Sequence, residues 1–525
     1  MKSQSTLLAY SLYGVCASLL LTACMVGPDY KEPQKPVAQH WIKNDGSVRE
    51  NIAKNSHWWR VFNDPNLTHL ITQGYHNNLS VQGAGVHVLQ LRAQLAQSVG
   101  QLYPQQQAMT GNYSYYRTGG SSLQNVLPNV FYAALVGFSA NWEIDFWGKY
   151  RRAIQSNDAT FLSSLAAYDN ALVTLTSDIA TVYINIRTLQ LLIYITQQNI
   201  QLQKTSLQLA TSRYTAGQVS LQDVEQAKTE LAETESTLPS QITQLQQQKD
   251  ALAVLLGLPP DQVNPLILKQ YGIPKAPTKV AVGIPKETLE KRPDVHQARL
   301  DAIAQSEAIG AAKANLYPAF SLVGTFTMAS NTINNSAIVD MFNWSNRNIT
   351  AGPGLNWPIL NYGQITNSVR AQDAVFQQAV LNYVNVVLKA QQEVQDNITR
   401  YTEAKKAEHL LSKANQSAVL TTKLTIIRYR EGEVDYTNVL YAEQQQLRVQ
   451  TEWVQAQGEI PLALVALYRA LGGGWQIRNG DDMVPKQIKD TMAARTNWGV
   501  LLEQKNHEPP KTMLQEIEQL YLPSW

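Results

Sequence analysis

The chain has 525 residues, 44% hydrophobic and only 16% charged, with 43 Lys and Arg against 41 Asp and Glu for a net charge of +2. That length can bury a large core, and the near-balanced charge argues against a nucleic-acid binder, whose footprint is a basic patch. Two cysteines, Cys16 and Cys24, exclude a disulfide framework, so packing alone must hold the fold.

The first element is an export signal. Lys2 precedes a mostly apolar stretch from Leu7 to Leu21, shorter than the roughly 20 residues of a comfortable membrane span. Small residues follow. Leu21-Thr22-Ala23-Cys24 resembles a bacterial lipobox, whose cysteine takes a diacylglycerol and becomes the new N-terminus. The alternative is an ordinary signal peptide that contains a cysteine. Cleavage there would remove Cys16 and leave Cys24 as the sole thiol. Met25, not Asp, follows it, which resembles an address for the outer membrane. Pro28, Pro33 and Pro36 then predict an extended strap rather than a helix after Cys24, within an N-terminal segment of residues 24–63.

The rest of the chain is written twice. Leu102-Tyr103-Pro104 recurs 214 positions later at 316 to 318, and Arg213-Tyr214-x-x-Gly217 recurs 215 positions later at 428 to 432. Leu256-Gly257 recurs at 471 and 472. The duplication divides the chain into a signal (1–23), the strap, a first repeat (64–257), a linker (258–278), a second repeat (279–472) and a tail (473–525). Neither Gly nor Pro occurs from Lys149 to Ala216 or from Gln364 to Glu431. Each run, if helical, is about 100 Å long at 1.5 Å per residue, far beyond an ordinary globular helix. Leu172, Leu175, Ile179, Val182, Ile186, Leu189 and Ile193 form a heptad seam, which predicts coiled-coil packing. Each run stops at a glycine, Gly217 or Gly432, and a second helical run follows, to Leu256 or Leu471. Pro239 and Pro461 predict kinks in these. Residues 66–102 and roughly 286–316 supply further helices, stacked end to end on the second runs.

Before each long helix the period changes to two. Phe320, Leu322, Phe326 and Met328 alternate with Ser321, Val323, Thr325 and Thr327. Tyr132, Val136, Phe138 and Trp142 alternate with Ser139 and Asn141, and Ile349, Ala351, Pro353, Leu355 and Trp357 with Asn348, Thr350 and Asn356. Tyr113 and Tyr115 mark a fourth and weaker strand. The hairpins are expected at 105–142 and 319–358. Strands of about 10 residues with aromatic ends suit a transmembrane barrel, against the alternative of a soluble hairpin on the bundle. Four strands cannot close a barrel, and open edges in lipid are prohibitively costly. The membrane reading therefore requires a homo-oligomer.

These features together resemble the TolC-type outer-membrane efflux channels, in their NodT-like lipoprotein branch. The resemblance runs from residue 21 to about residue 475. It rests on Gly27-Pro28-Asp29-Tyr30, on the stretch Trp58 to Ile71 with its Trp-Trp and Asp-Pro pairs, on Arg292-Pro293-Asp294-Val295, and on the duplicated motifs above. It implies a trimer with a 12-stranded β-barrel, four strands per chain, continued by a long α-helical periplasmic tunnel. It also implies passive export of drugs or other small molecules, with a periplasmic adaptor and an inner-membrane pump as partners. The location implied is the outer membrane, contacting its lipids. By the same resemblance, the end marked by the two turning glycines is the gate and docking tip. Its candidate residues are Arg213, Tyr214, Gly217, Asp223, Arg428, Tyr429, Gly432, Asp435 and Asn438. Where relatives carry carboxylates past the second glycine, this chain has Asn438 and Tyr441.

Nothing else in the sequence carries chemistry. The eight histidines are scattered without ligand spacing, which predicts no metal site. There is no phosphate loop or nucleophile elbow, and Gly472-Gly473-Gly474 reads as a helix cap and linker. No enzyme activity, cofactor or nucleic-acid partner is expected, and the one covalent group expected is lipid on Cys24. Trp58-Trp59 is expected to be buried. The tail suggests a short helix near Met513 to Leu522. The alternative function is a non-conducting, structural coiled-coil envelope lipoprotein.

Overall fold

A computed structural model describes residues 25–42, 48–49, 56–119, 128–267, 272–277, 279–333 and 336–502. Cys24 and the suggested helix near Met513 lie outside these residues. The elements follow the duplication. The first repeat comprises α1 (Pro65–Asn77), α2 (Leu79–Gly100), β1 (Gln106–Arg117), β2 (Val130–Ile144), α3 (Lys149–Thr215) and α4 (Leu221–Leu256). The second comprises α5 (Pro285–Glu290), α6 (Pro293–Ala314), β3 (Ala319–Asn331), β4 (Arg347–Asn356), α7 (Gln364–Glu431) and α8 (Tyr436–Ala470). A further helix, α9 (Lys486–Arg495), follows.

The two long helices have 67 and 68 residues. Each opens after a left-handed glycine, Gly148 or Gly363. Pro239 and Pro461 lie inside α4 and α8, and each of those helices continues through its proline as one element. The expected helix over 66–102 is divided at Asn78. Its side chain caps α2 by accepting from the Val81 N–H at 3.0 Å and donates to the Leu255 carbonyl at 2.9 Å, at the end of α4. The second repeat builds the same joint from Arg292, whose guanidinium donates to the Ala470 carbonyl at the end of α8, to Asp294 at 2.7 Å and to Glu393 of α7 at 2.7 Å. In both repeats a short helix thus meets the end of another at a left-handed glycine, Gly257 or Gly472. A Cβ at Gly257 would sit 2.4 Å from the Asn77 carbonyl oxygen, so the joint requires glycine.

The main core surrounds the middle of α3. Leu172, Ile179, Tyr183, Ile184 and Ile186 are buried there against α1, α8 and the Trp58-Trp59 pair. Trp58 stacks on Tyr468 at 5.5 Å. Tyr183 and Ile184 add a second buried face to the seam, because α3 is surrounded here rather than paired. Residues 475–502 also join this core through Met483, Val484 and Met492. The sequence offered little sign of this, since α9 is short and mostly polar.

The four strands form one antiparallel sheet in the order β1-β2-β3-β4. Its register brings the alternating residues into line. Met109 lies opposite Phe138, Phe138 opposite Phe326, and Phe326 opposite Ile349. Leu322 lies opposite Trp142 and Pro353 on the same face. The other face carries Ser139, Thr325, Thr327, Asn348 and Thr350. One face is therefore apolar across all four strands and the other is hydroxyl- and amide-rich, as a barrel wall between lipid and water requires. β1 and β4 are open edges.

Residues 25–42 form the expected extended strap. The Val26 N–H donates to the Trp147 carbonyl at 3.1 Å, just below the sheet. Arg152 binds both Asp29 and Glu307. The N–H groups of Ala38 and Ile42 donate to Gln391 and Gln395 of α7, at 2.9 and 3.0 Å. Trp41 ends the run with a 2.9 Å bond to the Gly283 carbonyl.

Candidate functional site at the hairpin tips

Both helical hairpins reverse in the same way. The Gly217 N–H donates to the Tyr214 carbonyl and the Gln218 N–H to the Arg213 carbonyl, both at 2.9 Å. Gly432 and Glu433 repeat the pattern on Tyr429 and Arg428, at 3.0 and 2.9 Å. This is a Schellman closure, which needs a left-handed residue, and the two glycines supply φ values of 71° and 82°. Ser220 and Asp435 then stand at the N-caps of α4 and α8.

The tips meet through a small buried cluster of Ala210, Val224, Ala227, Tyr429, Tyr436 and Val439. The Tyr429 and Tyr436 rings pack edge to face at 5.4 Å. Three of the candidate residues converge on this cluster. The Arg213 guanidinium lies 4.6 Å from the Tyr429 ring centre and donates to the Tyr429 carbonyl at the end of α7. A cation there complements the negative end of the helix. The Tyr429 hydroxyl donates to Asp223 at 3.3 Å, and Asp223 also accepts from Ser220 at 3.2 Å. Burial, and then the Asp223 charge, push the Tyr429 hydroxyl up to about 12, so it remains a donor at any physiological pH. Residues from the first hairpin thus hold the end of the second by charge, ring and hydroxyl.

The other candidates are arranged differently. Arg428 pairs at 3.0 Å with Glu433 of its own turn, and both side chains are 60% exposed. Such a pair contributes under about 1 kcal/mol. Asp435, Asn438 and Tyr214 are exposed on the tip surface.

Next to this cluster lies a buried polar seam that sequence reasoning missed. Asn199, Gln203 and Ser206 of α3 occupy successive heptad-spaced buried positions. Asn199 donates to Gln450 at 2.7 Å and accepts from Gln446 at 3.3 Å. Gln203 and Gln444 both donate to Glu230 of α4. Ser206 donates to one oxygen of Glu443 of α8, while the other oxygen is buried and has no partner among the described residues. Burial, with the nearby Glu230 charge adding to it, pushes the Glu443 carboxyl up to about 7. The available signal was polar side chains continuing the heptad spacing, but a search for apolar periodicity skips them.

The comparisons with known proteins agree with this architecture. A family model described as outer membrane efflux protein matches residues 70–258 and 284–473, one block for each repeat. The chain is 28% identical over 492 residues to nodulation protein T of Rhizobium leguminosarum bv. viciae, covering 93% of this chain and 98% of that protein. It is 26% identical over 473 residues to the cation efflux system protein CusC of Escherichia coli O6:H1, covering 88% and 98%. It is 27% identical over 474 residues to the toluene efflux pump outer membrane protein TtgC of Pseudomonas putida, covering 88% and 95%. The solved structure of the outer-membrane channel OprN superposes with a TM-score of 0.79 at 26% identity, over 86% of this chain and all of that one.

Proposed function

The chain belongs to the outer membrane efflux protein family, and from that premise we propose how its parts serve export. It is an outer-membrane channel of a tripartite efflux system, a conduit rather than a catalyst. The observation that carries this reading is the direct continuation of an amphipathic four-stranded sheet into helices of 67 and 68 residues. In our reading three copies share one barrel, and the helices cross the periplasm as a tunnel. The tip bearing Gly217 and Gly432 is its closed end, docked by a periplasmic adaptor that also binds an inner-membrane pump. Arg213, Tyr429 and Asp223 hold the closed form. Tyr214, Arg428, Asp435 and Asn438 are the exposed surface offered to the adaptor or a neighbouring copy. The cargo is small molecules selected by the pump, the relatives' names ranging from cations to toluene.

Lipid on Cys24 is part of the proposal. Met25 packs against the chain at Gly148, where a Cβ would stand 3.1 Å from the Met25 Cα. The described chain thus begins at the sheet end of α3, the side that faces the bilayer in this reading. Intact-mass measurement of the mature protein tests this: a diacylglyceryl adduct on an N-terminal Cys24 is expected, and an unmodified start elsewhere overturns it. The channel itself is tested by deleting the gene in its host. Accumulation of a small-molecule pump substrate, reversed by the full-length chain, is expected. Unchanged accumulation with every candidate substrate of the cognate pump would favour the structural lipoprotein.

A further inference from the structure

The two repeats meet inside one chain through an aromatic contact. Trp147, in the corner between β2 and α3, stacks on Tyr317, in the corner between α6 and β3, with ring centres 4.7 Å apart and planes 26° apart. Its indole N–H donates to the Pro318 carbonyl at 2.9 Å. The contact lies where the sheet passes into the helices.

The duplication gives both rings a counterpart. Tyr362 takes the place of Trp147, and each is followed by a left-handed glycine, Gly363 or Gly148, that opens a long helix. Tyr103 takes the place of Tyr317 in the repeated Leu-Tyr-Pro motif. The two corners have the same local geometry. The Trp142 indole donates to the Leu102 carbonyl at 3.0 Å, and the Trp357 indole donates to the Leu316 carbonyl at 3.1 Å.

Within the chain these counterparts do not touch. Tyr103 lies beside the free edge of β1 and Tyr362 beside the free edge of β4, on opposite flanks of the sheet. Tyr362 is 94% exposed and Tyr103 is 48% exposed. Ile359 and Leu360 beside Tyr362 are also largely exposed, at 71% and 79%. Tyr362 also holds a left-handed backbone, at φ 46°, that a bulky non-glycine residue rarely adopts. Hydrogen bonds from the Gly363 and Gln364 N–H groups to Asn361 hold that turn, but within the described chain the ring itself is left uncovered.

We propose that Tyr362 stacks on the partner subunit's Tyr103. Each copy thereby locks to the next at the barrel–tunnel junction, through the contact that Trp147 and Tyr317 make once inside every chain. The occupant is a second copy because the open β4 edge beside Tyr362 must be paired in lipid, and the free β1 edge of another copy is its complement. A closed ring then places each second repeat against the next first repeat, just as the first abuts the second internally. The proposal rests on the trimeric channel reading but is separable from it.

The test uses the full-length protein in outer membranes, with the photocrosslinker p-benzoylphenylalanine in place of Tyr362. Irradiation is expected to give covalent dimers whose joined peptide contains Tyr103 of a second chain. Intermolecular adducts confined to other regions, or none from a protein that native mass spectrometry shows to be trimeric, would overturn the contact and leave the trimer standing. A monomer by the same measurement would overturn both. Tyr362→Trp should keep the wild-type temperature at which the trimer dissociates in detergent, and Tyr362→Ala should lower it by several degrees. Equal temperatures for all three proteins would also reject the lock.

Discussion

At the scale of single residues, Arg213 and Glu443 act in opposite senses. Arg213 joins the hairpins with its charge satisfied by a ring face and a helix-end carbonyl. Removing it should loosen the tip without disturbing the sheet, which lies at the far end of α3. Arg213→Ala combined with Tyr429→Phe is expected to raise single-channel conductance in planar bilayers, while Arg428→Ala, acting on an exposed pair, should leave it unchanged. Equal conductance in wild type and the double variant would remove these two side chains from the gate. Glu443 instead stores an ionisation cost. Its carboxyl is raised from the ordinary 4.5 to about 7, chiefly by burial. The folded chain then keeps a proton that the unfolded chain releases. The stability gained from the neutral form is complete below about 4.5 and is lost as the pH rises through about 7. Thermal melts should therefore show stability falling from pH 5 to pH 8, and Glu443→Gln should make the fall shallower, the remainder coming from Asp169, whose carboxyl burial also raises to about 7. The same slope in that variant would place the titration elsewhere.

At the scale of elements, what was legible followed from what glycine and proline forbid. The ends of α3 and α7 fall where the glycine-free runs end, because no other residue closes such a reversal as cheaply. The heptad seam located the core side of α3 but not the extra buried face at Tyr183 and Ile184, which depends on neighbours distant in sequence. The break at Asn78 was invisible, since asparagine neither stops nor favours a helix strongly until its side chain finds the Leu255 carbonyl. Of the candidate tip residues, Arg213, Asp223 and Tyr429 came together while Arg428 and Asp435 did not, since sequence position does not reveal which hairpin a side chain faces. The joint at Arg292 offers a direct measurement. Its guanidinium is buried and serves α6, α7 and the end of α8 at once. Arg292→Ala leaves the Ala470 carbonyl without this donor and should cost about 2–3 kcal/mol in thermal or denaturant unfolding. Arg292→Lys should recover little of it, because a point charge cannot span three partners as a planar fork does. Full recovery by lysine would reduce the joint to simple charge pairing.

At the scale of the whole molecule, the sheet's two faces make separate demands. The apolar face, with Phe138 and Phe326 opposite each other at mid-strand, must meet lipid if the barrel spans the membrane. The face carrying Ser139, Thr325, Thr327 and Asn348 must then line water. A charge at the first kind of site is opposed by desolvation of about 2–4 kcal/mol per residue near the midplane, and three-fold assembly repeats that penalty in every copy. A charge at the second kind stays solvated and costs little, but it adds one unit per copy to the wall of the pore. Phe326→Lys is therefore expected to abolish heat-stable trimers in outer-membrane extracts. Thr327→Glu, one residue along the same strand, should assemble normally. In a bilayer with a salt gradient, it should also shift the reversal potential toward cation selectivity relative to wild type. The adjacent pair makes the test strict, since strand position and hydrogen bonding are nearly shared and only the face differs. If Phe326→Lys assembled and Thr327→Glu failed, the faces would be reversed. If both variants formed normal trimers with unaltered selectivity, the sheet would not be a membrane wall, and the conducting role would fall with it.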